Sequence, residues 1–147
     1  MKGSFYIDGT IHMCPPHPNT EYAEKHLFYI QSFSLMEVGA QYYTKRNGLN
    51  SYLLLYTYDG YGQLEYDGQI YELQEGDIFF IDCAKEHCYR SLGPIWKHGD
   101  LHINGAFIDG IFQELKNSGQ LIFHRSLQDD FFKKMEELIV LYVMIVV

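Results

Sequence analysis

Basic residues are scarce in this sequence: 11 Lys and Arg stand against 19 Asp and Glu, a formal charge of −8. A stand-alone nucleic-acid binder needs a basic face to displace counterions from phosphates, so the chain by itself does not read as one. The same balance argues against docking on an anionic membrane surface. Cysteine is nearly absent as well. Cys14, Cys83 and Cys88 form no CxxC pair and leave one over, which suits reduced thiols in a cytosol rather than a disulfide framework. The N-terminal MKGSFYIDGT lacks an apolar core of signal-peptide length, so the expected location is cytoplasmic. No apolar run approaches the roughly 20 residues of a spanning helix. The run LIVLYVMIVV, from Leu138 to Val147, has the length of a truncated interface helix or a buried core segment. Repeats, charge blocks, low-complexity stretches and a dividing linker are all missing.

Aromatic residues are abundant instead, with 13 Tyr and 10 Phe, typical of β structure or of a lined pocket. A chain of 147 residues, 47% hydrophobic and 20% charged, is one globular domain with room for a core. Residues 1–27 read as an N-terminal extended segment, because Cys14-Pro15-Pro16-His17-Pro18 cannot donate backbone bonds at consecutive prolines. Phe28–Glu37 and Ala40–Thr44 are apolar enough for two strands. Ser51–Tyr58 alternates, Asp59-Gly60 reads as a turn, and Asp67-Gly68 between Gln63–Tyr66 and Gln69–Leu73 is a strong hairpin signal. Glu75-Gly76 turns again before a strand at Asp77–Asp82, followed by strands at His87–Arg90 and Lys97–Ile103. Short strands with a turn every 8–12 residues or so describe a sandwich or barrel.

After Asn104-Gly105 the period changes. Phe107, Ile111 and Leu115, joined by Ile108 and Phe112, recur at helical spacing, with Asn117 and Gly119 as the stop. Ser126 and Asp129 have N-cap spacing and open a second helix, in which Phe131, Met135, Leu138, Tyr142 and Ile145 continue one apolar face. Residues 28–104 are thus a β barrel and residues 105–147 two C-terminal α-helices.

His98, Asp100 and His102 alternate on one strand face, and His87 and Tyr89 share a face of the strand before it. Facing inward, they form a binding pocket with Tyr52, Tyr56 and Trp96, a mixture of aromatic walls and a few polar groups. Plain core packing is the competing reading for each Tyr and for Trp96. A second alternative is a small metal-dependent enzyme, an isomerase or dioxygenase, with His87, His98 and His102 converging on Zn or Fe. Cys83 and Cys88 flank His87, and burial as small hydrophobes is the plainer reading than a Cys-His nucleophile. Glu65 and Glu72 sit across the Asp67-Gly68 hairpin as solvated charges.

The stretch YLLLYTYDGYGQLEYDGQIYELQEGDIFFI, the EHCYR segment and IWKHGDLHINGAF together resemble the N-terminal effector-binding domain of AraC-type transcription regulators. The resemblance covers residues 30–117 and implies a mainly β, cupin-like double-stranded β-helix of the jelly-roll kind. Gly76 and His87 keep the spacing of the second cupin signature, with Asp82 in place of its Pro and Ala84 in place of its Gly. The histidines of the first signature are missing: Gln63, Glu65 and Tyr66 stand there. The resemblance implies a non-enzymatic sensor of a small molecule, a sugar or similar polar metabolite, with no cofactor. It places Tyr89 and His98 at ligand-contacting positions, and Lys45 or Arg46 at that of a basic contact. Asp100 stands where a sugar sensor stacks a Trp, which puts arabinose itself in doubt. It further implies a homodimer formed through the C-terminal helices. DNA would be bound only by a helix-turn-helix half further along the full-length chain. The segment Ile11–Asn19 is the expected arm over the pocket.

Overall fold

The computed structural model describes residues 1–14 and 19–125, with the isolated positions 133 and 137. Residues 15–18, the rest of the expected second helix and its expected dimerisation residues Phe131, Met135, Leu138, Tyr142 and Ile145 lie outside the described residues.

In chain order the elements are β1 (Lys2–Tyr6), β2 (Gly9–Cys14), α1 (Glu21–His26), β3 (Phe28–Gly39), β4 (Tyr43–Asn47), β5 (Tyr52–Tyr66), β6 (Gln69–Leu73), β7 (Asp77–Asp82), β8 (His87–Gly105), α2 (Ile108–Asn117) and β9 (Ile122–His124). Every strand pairing is antiparallel, and the sheet path runs β1-β4-β8-β5-β7-β9, with β3 on β8, β2 on β3 and β6 on β5. The two longest strands, β5 and β8, pair along most of their lengths and carry the rest. The early part of β8 (His87–Arg90) sits between β4 and the end of β5, and its later part between β3 and the start of β5. Such sharing of long bent strands between two layers is the jelly-roll solution to exposed sheet edges.

The bend in β5 lies at Asp59-Gly60, which does not turn the chain as its residue types suggest. Register shifts occur between Thr57 and Asp59 and between Gly60 and Gly62, so the strand bulges and continues. Gly60 has φ 77°, and a Cβ there would lie 2.1 Å from the carbonyl oxygen of Ile95, so only glycine fits. Likewise the segments expected as two strands, His87–Arg90 and Lys97–Ile103, are one 19-residue strand. The Asp67-Gly68 hairpin forms as its residues dictate, with φ of 52° and 74° and Tyr66 paired with Gln69.

Residues before 28 are more structured than an extended arm: β1 pairs with β4 and β2 with β3. Thr20 caps α1 by accepting a hydrogen bond from the Ala23 amide at 3.1 Å. Asp8 ties the β1–β2 connection to the barrel, accepting from the amides of Gly39 and Gln41 at 3.1 and 2.9 Å. Helix α2 packs by Ile108 and Phe112, while Phe107, at φ 70° before the helix, and Ile111 remain exposed. The Phe112 ring sits 5.4 Å from that of Tyr52 and 5.7 Å from that of Phe80, fastening the helix to the barrel wall.

Candidate functional site

Directly paired residues on neighbouring strands project to the same side of a sheet. Leu53, Leu55 and Thr57 pair with His102, Asp100 and His98, so these six share a side. Tyr52 and Tyr56, one residue out of phase, point the other way. This corrects the expectation that both tyrosines face the pocket. The Tyr52 hydroxyl donates to Asp109 of α2 at 3.0 Å, and a Cβ on Gly99 would strike the Tyr56 ring. Both are buried in the packing on the outer side of the barrel. The sequence could not reveal the parity, because both sides of this strand are largely apolar.

On the inner side lies a cavity of about 510 Å³, within the usual range for small-molecule sites. Its apolar lining includes Met1, Phe5, Ile7, Ile11, Phe33 and Met36. Its polar lining includes Arg46, Asp100, His102, Ser34, Ser51 and Thr44, with Tyr42 and Tyr89 beside them. Of the residues singled out from sequence, the fold therefore brings Arg46, Tyr89, Asp100 and His102 together. It does not bring Lys45, Tyr52, Tyr56, His87, Trp96 or His98 to the cavity surface.

Each exclusion has a physical reason. Lys45 alternates to the solvent side and pairs with Glu86 at 3.3 Å. His87 lines a separate groove at the Asp67-Gly68 hairpin, along with Lys45, Glu65, Lys85 and Glu86. Its ring stacks 6.2 Å from Tyr89, its Nδ1 lies 2.8 Å from the Lys85 carbonyl, and burial lowers its pKa. Trp96 and His98 are fully enclosed, 4.2 Å apart, behind Tyr42. Trp96 donates from Nε1 to Thr57 Oγ1 at 3.2 Å.

His98 Nδ1 lies 2.6 Å from Asp100 Oδ1. An ionised carboxylate only accepts, so Nδ1 carries the proton of that bond. His98 Nε2 is buried with no hydrogen-bond partner among the described residues. His102 Nδ1 lies 2.8 Å from Ser51 Oγ, and burial pushes its pKa down to about 4, so the ring is neutral at pH 7. Tyr42 shares a hydrogen bond of 3.0 Å with Thr44, and burial raises the pKa of both Tyr42 and Tyr89. Neither phenol ionises, and both serve as neutral donors and acceptors.

Two catalytic alternatives meet obstacles in this arrangement. His87, His98 and His102 do not converge: each has its Nδ1 committed to a different partner, and among the described residues no three His, Cys, Asp or Glu side chains gather as a metal site. Burial pushes the Cys83 thiol up to about 12, so Cys83 offers no thiolate nucleophile, and Cys88 Sγ accepts from Arg90 Nη2 at 3.3 Å.

Met1, Gly3, Ser4, Phe5 and Ile7 were not singled out from sequence, yet all line the cavity. Their signal was weak: β1 is short and exposed along its whole length. Only its pairing with β4, with Gly3 opposite Arg46, places it there. Of the expected arm Ile11–Asn19, Ile11 reaches the cavity from β2, and 15–18 lie outside the described residues.

With this geometry in view, the likenesses to known proteins are consistent with one another. The AraC-like transcriptional activator CuxR shares the fold at a TM-score of 0.58 and 13% identity, over 86% of this chain and 52% of its own. YhaK from Escherichia coli does so at 0.56 and 8%, over 66% and 45%. An HTH_3-family transcriptional regulator from Vibrio cholerae follows at 0.51 and 13%, over 65% and 50%. These identities carry the fold alone, and the chain spans about half the length of the proteins it resembles. No curated protein matches it. The family of the AraC-like ligand binding domain matches residues 32–139, from the middle of β3 past the end of β9. A mainly β, cupin-like barrel enclosing a small-molecule cavity, with that match across most of its length, belongs to the AraC-like ligand binding domain family.

Proposed function

We propose that this chain is the ligand-sensing part of a transcription regulator and is not an enzyme. A small polar metabolite enters the barrel, and its binding is transmitted to a helix-turn-helix domain elsewhere in the full-length, cytoplasmic, homodimeric protein. One observation carries the reading: the cavity is roofed by β1, an edge strand exposed at every position and, among the described residues, attached through pairing to β4 alone. An element with little buried surface opens at low free-energy cost, so a ligand touching both roof and floor shifts its equilibrium. Because β4 also supplies Arg46 to the cavity floor, cover and contact belong to one ladder. Differential stabilisation of the closed roof is then the quantity that a dimer converts into altered DNA affinity.

The test is a thermal-shift screen of the chain against neutral sugars, small acids and amino compounds. A true ligand at 100 times its Kd stabilises by about 2.7 kcal/mol. A variant lacking residues 1–7 should fold, yet bind that ligand more weakly. A broad library with no shift would refute the sensor, and unchanged affinity in the truncated chain would remove β1 from the mechanism.

A further inference from the structure

Two side chains of opposite charge line the cavity without meeting each other. Arg46 has no ion-pair or hydrogen-bond partner among the described residues, whereas the adjacent Lys45 is neutralised by Glu86. Asp100 is nearly buried and bonded to His98, yet it too lines the cavity. The two act oppositely on the groups between them: Asp100 raises and Arg46 lowers the proton affinity of Tyr42, Tyr89 and His102. The cavity thus has a positive and a negative pole, flanking neutral hydroxyls and a neutral imidazole.

Each pole restricts what is bound there. A guanidinium only donates, and its fork matches a carboxylate. A carboxylate only accepts, so the group facing Asp100 must donate. A neutral polyol satisfies both hydrogen-bonding demands but leaves two charges without compensation when the roof closes and water leaves. A dipolar ligand compensates both at once. His98 cannot touch such a ligand through Nδ1, because that N–H is already given to Asp100; its effect passes through the carboxylate it holds.

Building on the sensor reading, we propose that the cavity takes a small zwitterion of the amino-acid class. Its carboxylate lies on Arg46, its ammonium lies on Asp100, and His98 acts as the positioning residue for Asp100. Asp100 then determines specificity, at the place where the resemblance to sugar sensors breaks.

The experiment is calorimetric titration of the chain with the standard amino acids, their deaminated acids, their decarboxylated amines, and neutral pentoses and hexoses. At least one amino acid should bind saturably, and its deaminated acid and its amine at least tenfold more weakly. Asp100→Asn should weaken the amino acid about tenfold or more while leaving the deaminated acid within twofold, the loss of one charge-assisted hydrogen bond. Arg46→Gln, at a half-buried position, does the converse with the amine and stands in should the first variant not fold. His98→Phe should abolish discrimination between amino acid and deaminated acid. His98→Asn, which keeps a donor near Asp100, should restore it; a merely structural role would weaken all probes alike. Binding of neutral sugars alone, or of no amino acid, overturns the assignment. The sensor reading survives sugar binding and falls only if the broad library also gives no shift.

Discussion

His102 offers the sharpest physical test of the inner side of the barrel. Its pKa is pushed by burial from 6.5 down to about 4, with Ser51 Oγ 2.8 Å from Nδ1 and Arg46 adding to the depression. An unfolded chain therefore takes up a proton on this ring as pH falls through 6.5, while the folded chain resists until about pH 4. Between those values the unfolded state binds more protons, so stability falls with falling pH across that window and is unaffected by this ring above it. From the two pKa values the loss is about 2 kcal/mol at pH 5, against almost nothing at pH 7.5. For a domain of this size that corresponds to roughly 4–8 °C in Tm. The assay is thermal or urea unfolding of the wild-type chain and of His102→Asn at pH 7.5, 6.0 and 5.0. Other groups titrate in the same range, notably His87, whose pKa is also lowered, but they contribute to both proteins and cancel in the difference. The wild type should lose about 2 kcal/mol more than the variant between pH 7.5 and pH 5. A difference that does not change with pH would show that His102 does not hold the buried position described.

Two further expectations concern the frame that holds the cavity. Phe112→Ala should cost about 3–5 kcal/mol, since its fully buried ring joins α2 to Tyr52 and Phe80; a loss below about 1 kcal/mol in chemical denaturation would mean that the helix does not dock there. Gly60→Ala should destabilise by roughly 1–3 kcal/mol, because alanine must adopt a left-handed backbone with its Cβ against the Ile95 carbonyl. An unfolding midpoint equal to that of wild type would place the bend of β5 elsewhere.

Much of the architecture was legible along the chain. The Asp67-Gly68 turn, the strand at Asp77–Asp82 and the stop of α2 at Gly119 follow from local chemistry, which depends on neighbours a few residues apart. The pairing of His98, Asp100 and His102 on one strand face was legible for the same reason. Asp59-Gly60 was not: the same dipeptide makes a turn or a bulge according to whether a partner strand continues past it, and here β8 does. Tyr52 and Tyr56 failed for a related reason. A strand apolar on both sides carries no internal mark of which one meets the cavity, and only its pairing with β8 decides. The strands β1 and β2 were missed because they are held by hydrogen bonds to β4 and β3, not by a hydrophobic pattern of their own.

The sequence by itself determined a mainly β domain with a helix after its last long strand, a shortage of basic charge, and the residue types from which a polar pocket can be made. These are properties of composition and of period, which act over a few residues. Tertiary structure alone decided which of those residues meet. It put Arg46 and Asp100 in one cavity, enclosed His98 behind Asp100, sent Lys45 to solvent, and laid the exposed N-terminal strand across the opening. Those outcomes depend on strand register and on the bends of β5 and β8, which bring together residues more than fifty positions apart.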